Sequence, residues 1–480
     1  MKKTIAFCCL ILCFSFSLTM LGQQVTFQKT FGNSRAEESA YAIIQATNNS
    51  LYLGGIAQPD TGRSQCLLIK SSLSGEQIWL KQYGYPGYHS FTYSLIQSDS
   101  KLLLCGDIKT ETGECDAMLI CVDTTGQLMW QKSYGIPSLN ESLKNIKLLP
   151  DGGFIACGFI TETRDNDPQN DILVMKFSPN GELIWQQAYG FENNDYADAI
   201  EVVDDGYVLT ADVKQSSLER NDYDIYVMKI DTAGNLMWDI IVGDELENGC
   251  QSATISSSGD FMVVGESTGA EGPAFDLTVV RVNSAGGLVY FKNIPVSGAD
   301  AGFSIAEFKP DTFLITGYSN SNSKGSNPLD VLLSIIDGQG NELSRDYVGF
   351  DGIDLGYSVI TPTKETFYAA GKAIENGDSQ AILIGGFNSV LNGINHTGNG
   401  GKLKIYPQPA SSRFFIQWPN SLLDGRISLY NTEGGKIWFE NLLPSGEVVL
   451  PPTLQSGVYL AEIIVKTGVY HQLISIQNPD

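Results

Sequence analysis

Short runs of alternating apolar and polar residues follow one another along this chain, separated by turn residues. Alternation with period two is the signature of half-buried strands. Residues 143–148 read as a first strand, and Pro150-Asp151-Gly152-Gly153 as a turn whose glycines supply positive φ. A second strand follows at 154–159, then a polar loop at 161–170. A third strand occupies 171–177, and Pro179-Asn180-Gly181 turns the chain into a fourth at 183–189. Helical periodicity of any length is absent after the first two dozen residues.

This four-strand pattern repeats. Gly75 to Trp79 with Tyr83-Gly84 recurs as Gly126 to Trp130 with Tyr134-Gly135, Gly181 to Trp185 with Tyr189-Gly190, and Gly234 to Trp238 with Gly243. The closing glycines fall at Gly32, Gly84, Gly135, Gly190, Gly243 and Gly349, with spacings of 52, 51, 55, 53 and 106. The last spacing is twice 53 and hides a degenerate copy at Gly286-Gly287-Leu288-Val289-Tyr290. A sixth copy carries Ser344 in place of the aromatic. Seven units of about 53 residues, each with four strands, predict a seven-bladed β-propeller. Small residues recur in the first strand (Ala42, Ser94, Asn145, Ala199, Ala253, Ser304, Ser358), as expected where innermost strands crowd around an axis. Trp79, Trp130, Trp185 and Trp238 fall on outer strands as blade-structural residues. There a large ring can wedge between sheets, for a few kcal/mol per blade. The seventh unit ends near Phe387 without a fourth strand, and the segment 25–32 is an orphan strand. Phe27 precedes Gly32 by five residues, as Trp79 precedes Gly84. The N-terminal strand is therefore expected to complete the last blade and remove the exposed edge.

Charge and leader residues bear on location. The formal net charge is −24, and loss of Lys2 and Lys3 with a leader makes it −26. Such a surface repels phosphate backbones and anionic lipid, so nucleic acid is not an expected partner. Lys2-Lys3 followed by the apolar run 5–16 reads as a secretory signal at residues 1–22. No later stretch is apolar enough to cross a membrane as a helix. Six cysteines remain after processing (Cys66, Cys105, Cys115, Cys121, Cys157, Cys250), none with metal-type spacing. Cys105 and Cys157 occupy equivalent second-strand positions before a glycine and read as packing residues.

The predicted propeller spans 23–388, and a polar linker, 389–401, leads to a second all-β unit at 402–480. Strands at 403–406, 414–418, 426–430, 436–440, 447–450, 458–465 and 470–476 predict a small Ig-like β-sandwich. Three motifs stand in order: Ile405-Tyr406-Pro407-Gln408-Pro409-Ala410, then Ile427 to Tyr430 with Gly434-Gly435-Lys436, then Leu454-Gln455-Ser456-Gly457-Val458-Tyr459. Together they resemble the C-terminal sorting domain of type IX secretion substrates. The resemblance implies Tyr406, Pro407, Gln408, Pro409, Gly435, Lys436, Gly457 and Tyr459 as sorting-motif residues. It also implies the type IX machinery as a partner, cleavage in or near the linker, and release or attachment at the cell surface. Gln408 stands where the family usually has Asn, and His471-Gln472 where it usually has a basic residue. Asp123 to Trp130 also resembles the tryptophan-docking motif of quinoprotein propellers. The vicinal cysteine pair of that family exists here as Cys8-Cys9, inside the leader, so its cofactor is not carried over.

Chemistry is sparse. His396 lies in the linker, His471 in the sorting domain, and His89 in a propeller loop without a marked triad partner. Asp116, Asp171, Asp224, Asp276 and Asp330 recur at third-strand starts, which points to a repeated structural task. Asp165-Asn166-Asp167 with Asn170-Asp171 clusters oxygens but lacks the Gly and Glu of an EF-hand. Asp244-Glu245 with Glu247 reads the same way, as a solvated loop. Loop aromatics (Tyr85, Tyr88, Phe91, Phe191, Tyr196) suit either sugar stacking or packing between blades. No residue is assigned to catalysis, a cofactor or a metal. The expected function is a non-catalytic binding module for a glycan, peptide or protein, since the axis-lining positions read as small and repetitive. The alternative is a carboxylate-based glycan hydrolase or lyase, or a quinoprotein-like oxidoreductase. An enzyme should bring repeat-breaking polar residues together on the axis.

Overall fold

The structure is a computed structural model. It describes residues 20–480 except 33–35, 60–61, 110–112, 165–166, 192, 215–221, 269–274, 296–297, 322–328, 351, 376–377, 392–403, 407–409, 411, 418–424, 431–435, 443–446, 466–467 and 477–480. The predicted signal lies outside the described residues through residue 19, and Met20–Phe31 is a strand. Two compact units divide between Ser389 and Val390.

The first unit is a seven-bladed propeller of four-stranded antiparallel sheets. Blades one to six span 36–83, 89–134, 140–189, 196–242, 248–294 and 300–348, with strand order following chain order. The seventh blade runs Ile353–Ile360, Thr366–Glu375, Asp378–Leu391 and then Met20–Phe31. The N-terminal strand thus closes the ring, as its orphan pattern predicts. Blade three comprises Asn140–Leu148, Phe154–Arg164, Asp167–Phe177 and Leu183–Tyr189. Its middle strands extend through the predicted polar loop, with Thr161 paired to Asn170 and Arg164 to Asp167.

Second and third strands are buried on both faces, which is why runs such as Leu102-Leu103-Leu104-Cys105 do not alternate. Their side chains form cores between adjacent blades. One core joins Cys157 and Val174 of blade three to Leu209 and Met228 of blade four. Another joins Leu51 and Leu67 of blade one to Leu383 of blade seven and to Phe31 of the closing strand.

Outer strands grip the next blade. The Trp130 ring lies where a Cβ on Gly181 would stand, 2.5 Å from Cη2. Trp79 meets Gly126 and Trp238 meets Gly286 in the same way, and these glycines have φ near +80° (78° at Gly126, 72° at Gly181, 89° at Gly286). Tyr83 and Tyr189 donate their hydroxyls to the Gly126 and Gly234 carbonyls at 2.7 and 2.6 Å. At ring closure Phe27 takes the tryptophan's place against Gly75. The turns themselves are held by Asp123 Oδ1, which accepts from the Thr125 and Gln127 amides at 2.8 and 2.9 Å. This local device accounts for the quinoprotein-like motif without a cofactor.

Four of the recurrent third-strand aspartates, Asp116, Asp171, Asp224 and Asp330, serve blade junctions. A Cβ on Gly190 would lie 2.7 Å from both Asp171 Oδ1 and Asp195 Oδ2, and Gly349 stands likewise between Asp330 and Asp354. The inner-strand partner fixes the join. The Asp195 amide donates to the Asn170 carbonyl at 2.7 Å, and the Asp354 carboxylate accepts from the Phe350 amide at 2.6 Å. At the fifth blade the partner is an amide, Asn248, facing Asp224.

Glu141 fills this role between blades two and three. Its Oε1 accepts from the Ile136 amide at 3.0 Å, while its buried Oε2 has no partner among the described residues. Burial, aided by Asp116, pushes its pKa up to about 7. A folded pKa above the unfolded one means full stability below the unfolded value near 4.5, lost as pH rises through about 7. Roughly 3 kcal/mol is the upper bound at about 1.4 kcal/mol per unit. Glu141→Gln should therefore flatten the fall in thermal midpoint between about pH 4.5 and pH 7, leaving an uncharged amide at the junction as at Asn248. Superimposable calorimetric pH profiles for the two proteins would remove this assignment.

The second unit holds two sheets, as expected of a small sandwich. One comprises Lys404–Tyr406, Arg413–Gln417 and Glu447–Val449, and the other Lys436–Asn441, Gly425–Tyr430, Gly457–Val465 and Gly468–Ile476. Phe414, Ile427, Leu429, Ala461, Ile463 and Ile474 form its core, with Trp438 against it.

Candidate functional site

Every innermost strand contains a β-bulge. Pairing with the second strand skips one residue between Ala40 and Ala42, Thr92 and Ser94, Leu143 and Asn145, and Ala197 and Ala199. It skips again between Cys250 and Ser252, Gly302 and Ser304, and Gly356 and Ser358. The skipped residues are Tyr41, Tyr93, Lys144, Asp198, Gln251, Phe303 and Tyr357. A bulge bends its strand and re-aims the extra side chain. The bend brings the backbones close. A Cβ on Gly158 would stand 1.9 Å from the Ser142 carbonyl oxygen, and Gly55, Gly106, Gly265, Gly317 and Gly371 meet the same obstacle.

The bulged side chains meet their neighbours around the ring. Tyr41 contacts Tyr357 at 4.7 Å and Tyr93 at 5.9 Å between ring centroids, and Phe303 contacts Tyr357 at 5.6 Å. These four make a continuous aromatic arc across blades six, seven, one and two. Lys144, Asp198 and Gln251 of blades three to five form a polar arc. Lys144 Nζ joins the two, 3.6 Å above the Tyr93 ring centroid. A second tier comes from the residue after each close-approach position: Ile56, Asp107, Phe159, Asp212, Glu266, Tyr318 and Lys372.

The expectation of small, repetitive axial residues is therefore corrected. The small residues are present beside each bulge (Ser252, not Ala253, is the equivalent in blade five), but the bulged residue is the one that turns inward. One extra residue in the register reverses which side chain faces the axis, and simple alternation does not reveal it.

Charge is concentrated in the polar arc. The ligand atoms of Asp198, Asp212 and Cys250 lie within 4.8 Å of one another. The Cys250 thiol donates to Asp198 Oδ2 at 3.6 Å, and its amide to Asp212 Oδ1 at 2.7 Å. Burial, and then the neighbouring Asp212, hold the Asp198 carboxyl well above the usual range. Burial likewise pushes Asp212 up to about 7, with Glu266 and Glu247 adding to the rise. Burial lowers Lys144, while Asp107 and Asp198 draw it back up. Ser142 donates its hydroxyl to Asp107 Oδ2 at 2.6 Å.

The other sequence candidates fall elsewhere. Trp79, Trp130, Trp185 and Trp238 stand on outer strands against the inter-blade cores. His89 accepts from the Ser64 amide through Nδ1 at 3.2 Å and stacks on Phe91. Asp165 and Asn166 lie outside the described residues. Asn170, in the third strand, bonds Thr161 and Tyr196 at 2.6 and 2.7 Å, which uses its side chain there. Asp244 Oδ1 accepts from the Leu246 amide at 2.9 Å. Tyr85 and Phe191 pack against inter-blade cores, whereas Phe91 and Tyr196 sit two residues before the bulges, at the axis. In the second unit Tyr406 pairs with Phe415, Lys436 with Tyr430 and Gly457 with Ile476. Tyr459 is buried and donates its hydroxyl to the Gln455 carbonyl at 2.8 Å. Pro407, Gln408, Pro409 and Gly435 lie outside the described residues.

Residues 404–477 match the family model of the secretion system C-terminal sorting domain. The chain is thus a seven-bladed propeller followed by a C-terminal type IX sorting domain, and it is exported to the cell surface or secreted. No curated protein matches the chain. Among solved structures, a Dyadobacter fermentans protein of unknown function is 11% identical with a TM-score of 0.49, covering 77% of this chain and 100% of its own. The Pan2 WD40 domain of Neurospora crassa is 9% identical with a TM-score of 0.46, covering 79% of this chain and 98% of its own. PorZ, described as a surface component of the type IX secretion system of Porphyromonas gingivalis, is 10% identical with a TM-score of 0.35, covering 89% of this chain and 64% of its own. No helix among the described residues is long and apolar enough to cross a membrane.

Proposed function

We propose that the exported propeller is a non-catalytic binding module that takes a glycan at its axis. The observation that carries this reading is the ring of seven bulged residues. Their backbone is repeated in every blade, yet their side chains are not. A scaffold would leave these positions equivalent, whereas a site for one ligand must break the symmetry. The aromatic arc Phe303–Tyr357–Tyr41–Tyr93 suits the C–H faces of a sugar, and the polar arc Lys144–Asp198–Gln251 suits its hydroxyls.

Repeat-breaking polar residues on the axis also speak for the hydrolase alternative. Against it, the Cys250 thiol donates to Asp198 and the Cys250 amide to Asp212, so each carboxylate is already engaged by a hydrogen-bond donor. Glycan-array binding by the purified propeller tests the proposal. Tyr357→Ala and Asp198→Asn should each weaken the glycans bound by at least about tenfold, roughly 1.4 kcal/mol. Exposed Ile184→Ala on an outer strand should leave them bound. Equal binding by all three variants, or shortened glycan products, would refute it.

A further inference from the structure

We propose that Asp198, Asp212 and Cys250 form a binding site for a divalent transition-metal ion, zinc by donor chemistry, with Thr210 as the fourth donor. The site shares Asp198 with the proposed glycan-binding arc, but its readout is retained metal and not bound glycan. It begins from three potential ligand atoms within 4.8 Å of one another, drawn from three strands of two blades.

A second observation points into the same place. The Thr210 hydroxyl is fully buried and faces the Cys250 thiol. It makes no hydrogen bond of ordinary length and angle, its polar contact being that thiol. A buried hydroxyl left without such a bond carries a desolvation cost that a bound ion would relieve. The Cys250 amide holds Asp212 by Oδ1, which fixes the carboxylate beside the thiol. The thiol hydrogen aimed at Asp198 Oδ2 marks the line an ion would occupy.

Donor type and charge select the ion. A thiolate disfavours calcium and magnesium, which take oxygen ligands, and favours zinc or a similar ion in four-coordination. On binding, the Cys250 S–H bond breaks, its electron pair becomes the sulfur–metal bond, and the proton leaves to solvent. Two carboxylates and one thiolate then face a divalent ion, with the Lys144 ammonium beside Asp198. Glu266 and Glu247 lie on the Asp212 side as outer carboxylates. Asp198 and Asp212 are half-buried rather than sealed.

Cobalt(II) loading of the full chain tests the site, because a cobalt–thiolate bond absorbs in the near ultraviolet. The wild type, freed of loose metal by gel filtration, should retain about one zinc or cobalt per chain and show that band. Cys250→Ser should abolish the band, and Asp212→Asn should lower retained metal at least tenfold. Cys157→Ser, at another buried thiol, should keep both. If Cys250→Ser fails to fold, Asp198→Asn on the channel wall provides the same comparison. Retention below a tenth of an ion per chain, a band that survives Cys250→Ser, or calcium retained without any band would each overturn the proposal.

Discussion

Deletion of residues 20–32 is expected to abolish the cooperative melting of the propeller. That segment supplies the fourth strand of the last blade, so its loss exposes the edge of Asp378–Leu391. It also withdraws Phe31, which is 4% exposed within the core shared by blades seven and one. Phe27 leaves with it, and its ring packs against Tyr368, Gly385 and the Gly75 turn of blade one. Each buried phenylalanine removed costs about 3–5 kcal/mol. Two together approach the whole stability of a typical domain, about 5–15 kcal/mol. An open ring moreover presents an unpaired edge, which favours aggregation. Circular dichroism melts of the full and truncated chains measure this, and a synthetic strand of residues 23–32 added in trans should restore part of the transition. A truncated propeller that melts like the full chain would mean the ring closes without its N-terminal strand.

Gly181→Ala should cost roughly 3 kcal/mol. Gly181 has φ +72°, where an L-residue loses about 1–2 kcal/mol. Its new Cβ would also stand 2.5 Å from Trp130 Cη2 and 3.0 Å from Cζ3. Displacing a ring that wedges between blades adds about 1–3 kcal/mol of packing strain. Gly152→Ala separates the two causes. Gly152 has φ +82°, but its Cβ would meet nothing nearer than Pro179 Cγ at 3.7 Å. Urea midpoints should therefore fall about twice as far for Gly181→Ala as for Gly152→Ala. Equal shifts would deny the tryptophan its part in joining blades.

Much of this architecture is legible in the residues because each blade repeats the same local solution. Gly-x-x-x-Trp marks a positive-φ turn and the ring that packs on the turn of the following blade. Phe27 at the same distance from Gly32 betrays the closing strand. The sandwich strands fall within a few residues of their alternating runs, since one face of each is buried. The axial site stayed hidden for a physical reason. Its residues occupy bulges, where one unpaired residue reverses the inward-facing register, and Tyr41, Lys144 and Asp198 share position but not chemistry. A signal did exist in Gly55, Gly106, Gly158, Gly265, Gly317 and Gly371. Glycine recurs in six second strands because the bulged backbone presses there. Counting two strands back from the turn to those glycines would have located the ring. The acids Asp107 and Glu266, one residue further on, would then have fallen beside it.

Photo-crosslinking on the surface of the native host tests the central claim most directly. A benzophenone amino acid at Tyr357 reports on the aromatic arc, and one at Ile184, 56% exposed on an outer strand, reports on the rim. The axial account expects a discrete glycan adduct from position 357 that disappears in the Asp198→Asn background, with none from position 184. Adducts from position 184 alone would contradict it, and would place the partner on the outer strands instead.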